Sequence, residues 1–265
     1  VKGINLEGLR VLGDPRSFIE KYYMEGADEI YLQDVTASLY NKSKIEKIIE
    51  EIAKNIFINI SAGGGIRSNS DIEDLLLSGA DKVSLNTAIV NNPKFLTNAV
   101  NKYGSSTISV NIETLNIDGK YKVFTETGRQ VSKYEIFDWI KIIQDLGAGE
   151  IVITSIKNEG RKNGFDIPLY EKSSKLINIP LIAHGGAGST NHIIDLFKKT
   201  DVDGVLLASI LHYDKINSLS DTQNTGSFSF LNENLTNLDK GKKNNSSSLS
   251  KIKSELSTAG IKIRQ

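Results

Sequence analysis

The stretch SAGGGIRS, residues 61–68, decides the fold, because AHGGAGS, residues 183–189, repeats it with Gly64 and Gly185 121 positions apart (185 − 64). Each stretch follows an apolar run and precedes a helical pattern. Glycines at the carboxyl end of a strand let backbone N–H groups approach an anion without interference from Cβ, and the helix that opens next adds the positive end of its dipole. One such turn reads as no more than a tight strand-to-helix connection. Two of them, followed by Asn86 and Thr87 in one case and by Ala208 and Ser209 in the other, read as a pair of phosphate cradles.

Working outward, GADEI (26–30) and GAGEI (147–151) are also 121 positions apart, and KVSLNTA (82–88) matches GVLLASI (204–210) at 122. Matches in one order and nearly one register indicate a duplicated half of four strand–helix units, and two halves make an eight-unit barrel. β-rich runs at 29–35, 57–60, 82–87, 107–113, 150–156, 180–184 and 204–210 alternate with helical patterns at 42–56, 70–79, 93–103, 133–146, 168–176 and 189–199. A helix is also expected from Pro15 to Gly26. Such alternation argues for a parallel sheet with right-handed crossovers. Asp118-Gly119, between two apolar runs, predicts an inserted hairpin. The expected fold class is α/β, a (βα)8 barrel of two similar halves. Its first strand is expected to lie before Val1, in about 15 to 20 further residues.

Residues 1–216 are expected to form the barrel body. Residues 217–249, polar and repetitive, read as a low-complexity insertion with too little apolar surface to offset the entropy of ordering. Residues 250–265 read as the last helix and tail of the barrel.

Lys plus Arg and Asp plus Glu are equal at 32 each in 265 residues, so there is no global basic field to gather nucleic acid. The absence of cysteine excludes disulfides, thiolate metal sites and a cysteine nucleophile. No apolar run reaches the length of a membrane span, and the start lacks the features of a signal peptide. A cytoplasmic enzyme with neither nucleic-acid nor membrane partner is the expectation.

Active sites of such barrels lie at the carboxyl ends of the strands. That rule groups Gly65 with Asn86 and Thr87 in the first half, and Gly186 with Ala208 and Ser209 in the second. The loop 159–164, with Gly160, is placed to help hold an anion. Glu113 ends a strand between the two turns and is the carboxylate best placed for general acid or base work, the alternative being a solvated strand-end glutamate. Asp34 reads as a loop anchor or helix cap. His184 has no partner at metal-ligand spacing, so neither a metal nor a cofactor is expected. At the opposite face Glu29, Lys82 and Glu150 each begin a strand. They could converge as a stabilising ion-pair layer or as a gate for a small molecule entering from a docked partner.

These residues carry a resemblance. VKGINLEGLR (1–10), GADEI (26–30), DVTAS (34–38), GGGIR (63–67), GADKVSLNTA (79–88), LGAGEIVITS (146–155) and AHGGAG (183–188) together resemble the cyclase subunit of imidazole glycerol phosphate synthase. The similarity runs from residue 1 to about 216 and resumes at about 250. It implies a barrel that takes ammonia from a glutaminase partner. Its substrate would be a bis-phosphorylated formimino carboxamide ribotide, and its products imidazole glycerol phosphate and an aminoimidazole carboxamide ribotide, within histidine biosynthesis. That is the chemistry of a carbon-nitrogen lyase, and two substrate phosphates agree with two cradles. The resemblance also implies that Glu29, Lys82 and Glu150 form the ammonia gate. Glu113 stands for one of two catalytic aspartates, the other belonging to the first strand.

There are departures. Glu113 is one methylene longer than aspartate, His184 stands for a small polar residue, and Arg161 stands for a threonine. The stretch ASLYN (37–41) is more similar to relatives associated with surface-sugar amidation, which pass ammonia to a sugar-modifying enzyme. Three readings therefore stand: the cyclase, an ammonia-channelling barrel in sugar amidation, and a phosphate-binding barrel inactive for want of its first strand.

Overall fold

The computed structural model describes residues 1–37, 45–212 and 248–264. Seven parallel strands run in sequence order around a nearly closed barrel: β1 (Glu29–Gln33), β2 (Asn59–Gly63), β3 (Lys82–Leu85), β4 (Ile108–Ile117), β7 (Glu150–Ser155), β8 (Leu181–His184) and β9 (Gly204–Leu206). Two further strands form a flap off the barrel wall: β5 (Lys120–Thr125) pairs antiparallel with β4, and β6 (Gln130–Glu135) pairs antiparallel with β5. The helices are α1 (Pro15–Met24), α2 (Glu46–Ile52), α3 (Asn69–Leu77), α4 (Thr87–Asn91), α5 (Lys94–Tyr103), α6 (Ile136–Asp145), α7 (Ile167–Ser174), α8 (Thr190–Lys199) and α9 (Leu249–Thr258). The fold is an α/β barrel of the (βα)8 class.

Helix starts follow side-chain chemistry. Asp14 accepts the Arg16 N–H at 3.0 Å ahead of Pro15. Ser68 and Asp71 form a reciprocal capping box on α3, satisfying donors that the first helical turn leaves orphaned.

The packed core lies outside the barrel wall. Val83, Leu85, Val110, Ile112, Ile151, Ile153 and Ala183 alternate along their strands and meet helix residues such as Ile72, Leu96, Trp139, Ile140 and Ile193, all essentially fully buried. Each such aliphatic side chain contributes about 1.5–3 kcal/mol by burial. Of the alternate residues, which face the barrel axis, Ser61, Ser84, Ser109, Asn111 and Thr154 are polar and buried, while Val152 and Ile182, in register with Asn111, are apolar. Barrels of this class usually fill that space with branched apolar side chains. Here much of that space, chiefly in the first half, is lined by polar side chains instead.

The duplication holds at the level of single hydrogen bonds. Asp81 Oδ2 accepts the Ile60 N–H at 2.8 Å, and Asp203 Oδ2 accepts the Leu181 N–H at 2.8 Å. Ala27 donates to the Tyr22 carbonyl at 2.9 Å, and Ala148, 121 positions on (148 − 27), donates to Ile143 at 3.0 Å.

The structure departs from the sequence reading in several places. Strand β2 starts at Asn59 rather than Phe57, whose ring is exposed at the barrel floor. The run 130–135, partly read as helix, is the second strand of the flap; its register with β5 holds it although its residues are largely polar. Helix α4 was not anticipated. Strand β9 ends at Leu206, so Ala208 and Ser209 open a helical turn instead of closing a strand; Leu211 and His212 donate to the Ala208 carbonyl at 3.0 and 2.9 Å. The insertion expected over 217–249 lies outside the described residues, except that Ser248 and Leu249 begin α9. Residues 38–41 of the ASLYN stretch also lie outside them.

Candidate functional site at the barrel mouth

The first glycine turn leaves β2 and opens α3. A Cβ on Gly64 (φ +101) would fall 2.2 Å from the Asp34 carbonyl oxygen, and one on Gly65 (φ +71) 2.5 Å from the Ala37 Cβ. These contacts and the left-handed backbone together require glycine. Asp34 anchors the loop beneath: its Oδ1 accepts the Thr36 N–H at 2.8 Å, the Thr36 hydroxyl at 2.7 Å and the Ala37 N–H at 3.0 Å.

Above this turn lies a cavity of about 350 Å³, whose lining includes Gly65, Asn86, Thr87, Glu113, Glu126 and Thr127. The structure thus gathers Gly65, Asn86, Thr87 and Glu113 around one space. Glu113 is 3% exposed. Its Oε2 accepts the Gly128 N–H at 2.8 Å and the Asn86 amide at 3.3 Å. Burial dominates: although Gly128, the Lys2 ammonium and Asn86 favour the carboxylate, desolvation pushes the Glu113 carboxyl up to about 7. A carboxyl titrating near neutrality can both take and give a proton under working conditions. The Asn86 Oδ1, also buried, has no hydrogen-bond partner among the described residues, which leaves it available to a ligand donor.

The β5–β6 flap supplies contacts that sequence reasoning did not find. Its loop carries Glu126 and Thr127 in left-handed conformations (φ 52 and 58), a strain common where a loop is held for function. The Glu126 N–H donates to the Thr87 hydroxyl at 3.1 Å. The hairpin was legible at Asp118-Gly119, yet the donor on Gly128 is a backbone group and leaves no mark in the side-chain pattern. Lys2, whose ammonium is depressed by burial and by Arg129, was also missed.

The second turn follows β8. A Cβ on Gly185 would fall 2.8 Å from the Ser155 carbonyl oxygen, the residue 121 positions after Asp34 (155 − 34), and one on Gly186 (φ +114) 2.1 Å from the Gly164 carbonyl. The loop after β7 closes over it: Gly164 donates to the Gly186 carbonyl at 2.8 Å, and the Asn158 amide donates to the Gly164 carbonyl at 2.8 Å. Gly160 lies in that loop against Ile4, where Asn5 donates to the Glu159 carbonyl at 2.9 Å. His184 stands between the Thr154 hydroxyl, 3.0 Å from Nδ1, and the buried Glu159 carboxylate, 3.5 Å from Nε2. None of Gly160, Gly186, Ala208 and Ser209 lines the cavity of the first turn.

At the floor, Lys82 Nζ donates to Glu29 at 2.9 Å and to Glu150 at 2.7 Å. Burial opposes its charge, but the two glutamates outweigh this and hold the ammonium above its ordinary range. The three residues expected to converge there do so. Among the described residues no cluster of His, Asp and Glu could hold a metal ion, and no helix is long and apolar enough to cross a membrane.

A model of the family described as "Histidine biosynthesis protein" matches residues 1–217. The chain is 44% identical over 214 residues to the imidazole glycerol phosphate synthase subunit HisF of Bacillus cereus, covering 80% of this chain and 85% of that protein. It is 39% identical over 224 residues to the HisF subunit of Streptococcus gordonii (84% and 88%) and 39% identical over 216 residues to that of Natranaerobius thermophilus (82% and 86%). The chain belongs to the family of imidazole glycerol phosphate synthase cyclase subunits.

Proposed function

We propose that this chain is the cyclase subunit of a two-subunit synthase in histidine biosynthesis. It receives ammonia from a glutaminase partner and converts a bis-phosphorylated formimino carboxamide ribotide into imidazole glycerol phosphate and an aminoimidazole carboxamide ribotide, the work of a carbon-nitrogen lyase. The observation that carries the reading is Glu113: a buried carboxyl, raised to about 7, facing a cavity that also contains a glycine turn at a helix start. Gly65, Asn86 and Thr87 would hold one phosphate of the substrate, and Gly160, Gly186, Ala208 and Ser209 the other, with backbone amides at helix starts as donors. Glu113 would exchange a proton with the reacting ribotide. The Glu29–Lys82–Glu150 cluster would admit ammonia at the floor, where the partner docks.

The rival reading is a barrel that delivers ammonia to a sugar-modifying enzyme. One observation favours it: the second turn is covered by the β7 loop and lies outside the cavity of the first, so the two cradles are not equally open. Mixing the full-length protein with the ribotide and ammonium chloride separates the readings. The cyclase consumes ribotide, and Glu113→Gln lowers kcat by about 10²–10⁴-fold. It also shows a limb in kcat/KM near pH 7 that is absent from Glu113→Gln. No turnover at saturating ammonium would sink the cyclase reading.

A further inference from the structure

The inward-facing residues of the first half-barrel do not leave an open bore. Glu29 and Tyr31 occupy successive inward positions on β1, as Lys82 and Ser84 do on β3. Glu29 meets Lys82 at the floor. One inward position higher, the Tyr31 hydroxyl donates to the Ser84 hydroxyl at 2.6 Å, across the intervening strand β2. Ser84 is the deepest part of the mouth cavity on β3, and Tyr31 is not part of that lining. The phenol lies within the fields of Glu150 and Glu29 at the floor and of Glu113 at the mouth, so it sits between the two ends of the axis. Burial pushes the phenol well above its ordinary range, and it remains a neutral donor.

Two features show that this pairing is not a packed apolar plug. The contact is a single hydrogen bond between hydroxyl groups, worth about 0.5–1.5 kcal/mol net, and a rotamer change can break it. Next to Ser84 in register on β4 stands Ser109, whose fully buried hydroxyl has no hydrogen-bond partner among the described residues. An unpartnered hydroxyl in the barrel interior costs free energy unless something polar visits it. A molecule the size of ammonia, with three N–H donors and one lone pair, fits that role.

We propose that Tyr31, latched to Ser84, is an internal valve on the barrel axis, so that nitrogen from the floor reaches the mouth cavity only when the phenol leaves Ser84. The inference rests on the function proposed above, because it concerns delivery to the same cavity. Tyr31 does not touch the reacting atoms; it sets which source of ammonia the site can use.

The test uses the chain with its glutaminase partner and compares the unaltered protein with Tyr31→Val, which removes the ring, and Tyr31→Phe, which removes only the latch. Three rates are followed: ribotide consumed with glutamine, ribotide consumed with ammonium chloride, and ammonia released to solution per glutamine hydrolysed. With the valve removed, Tyr31→Val releases about threefold less ammonia per glutamine while ammonium-driven turnover, fed from the open mouth, stays within about twofold. Tyr31→Phe shifts release in the same direction by less. Unchanged release in both variants, with ammonium-driven turnover intact, overturns the valve alone. If Tyr31→Val loses ammonium-driven turnover through damage to the fold, Tyr31→Phe decides the matter: unchanged release in that variant overturns the valve. Absence of ammonium-driven turnover in the unaltered chain overturns the proposed reaction and the valve with it.

Discussion

The two glycine turns are built alike and roofed differently. Gly64 lies on the Asp34 carbonyl and Gly185 on the Ser155 carbonyl, at equivalent places in the two halves. Above the first turn is a cavity of about 350 Å³ with a buried carboxyl near neutrality. Above the second are the carbonyls of Gly164 and Lys162, with Glu159 and His184 to one side. The repeat therefore conserves the backbone approach, while the chemistry depends on what each preceding loop lays across it. Glycine at these turns has a steric cause in both halves; anion binding is a further property that the roof permits or obstructs.

The largest expected effects attack the shared part. Gly64→Ala and Gly186→Ala each place a methyl group about 2 Å from a backbone carbonyl oxygen, on left-handed backbone (φ +101 and +114). Neither neighbour can give way as a side-chain tip would. Each should cost about 3 kcal/mol or more, read as a lower urea midpoint. A Gly186→Ala protein as stable as the parent would break the likeness of the halves, because the loop on the second turn would then be loosely placed.

How much of this asymmetry was legible in the sequence depends on which atoms carry it. The seven barrel strands followed from β-rich runs alternating with helical patterns, and the places of the floor residues and of Glu113 from the ends of those strands, since those are statements about side chains at fixed positions in the sequence. Strand β6 was misread because its Lys133 and Glu135 lead directly into the apolar face of α6, and its apolar Val131 is exposed while Tyr134 packs against Trp139 of that helix. Phe57 drew β2 two residues too early for the opposite reason: it is apolar but exposed at the floor. The roofs over the turns are made of backbone groups, Gly128 N–H over Glu113 and Gly164 C=O over Gly186. Residue identity does not encode where those point.

The carboxyl beneath the first roof provides a sharper test. Its folded pKa, about 7, is raised above the ordinary glutamate value of about 4.3. The stability associated with the proton is therefore fully present below about pH 4.3 and is lost as pH rises through about 7. Glutamine at 113 keeps the group neutral at every pH. Glu113→Gln should match the parent near pH 4.5 and exceed it at pH 8 by about 3 kcal/mol, with the gap opening between those values. Thermal melts at the two pH values measure it. Equal differences at both would mean that Glu113 is solvated, and that the first turn holds no buried acid.

The smallest effect concerns the second roof. A Cβ on Gly185 would sit 3.4 Å from Glu159 Oε2, so the carboxylate lies beside the backbone that a phosphate would approach. Like charges at such range oppose each other, and the His184 Nε2 lies 3.5 Å from the same carboxylate. Glu159→Gln removes the negative charge and keeps the shape. It should raise affinity for inorganic phosphate at the second turn about threefold at pH 8. The first turn should be unaffected. Phosphorus NMR titration of the parent and the variant distinguishes the sites by their separate response. A uniform gain at both turns would place the effect in the general field of the mouth and would remove the electrostatic distinction between the two halves.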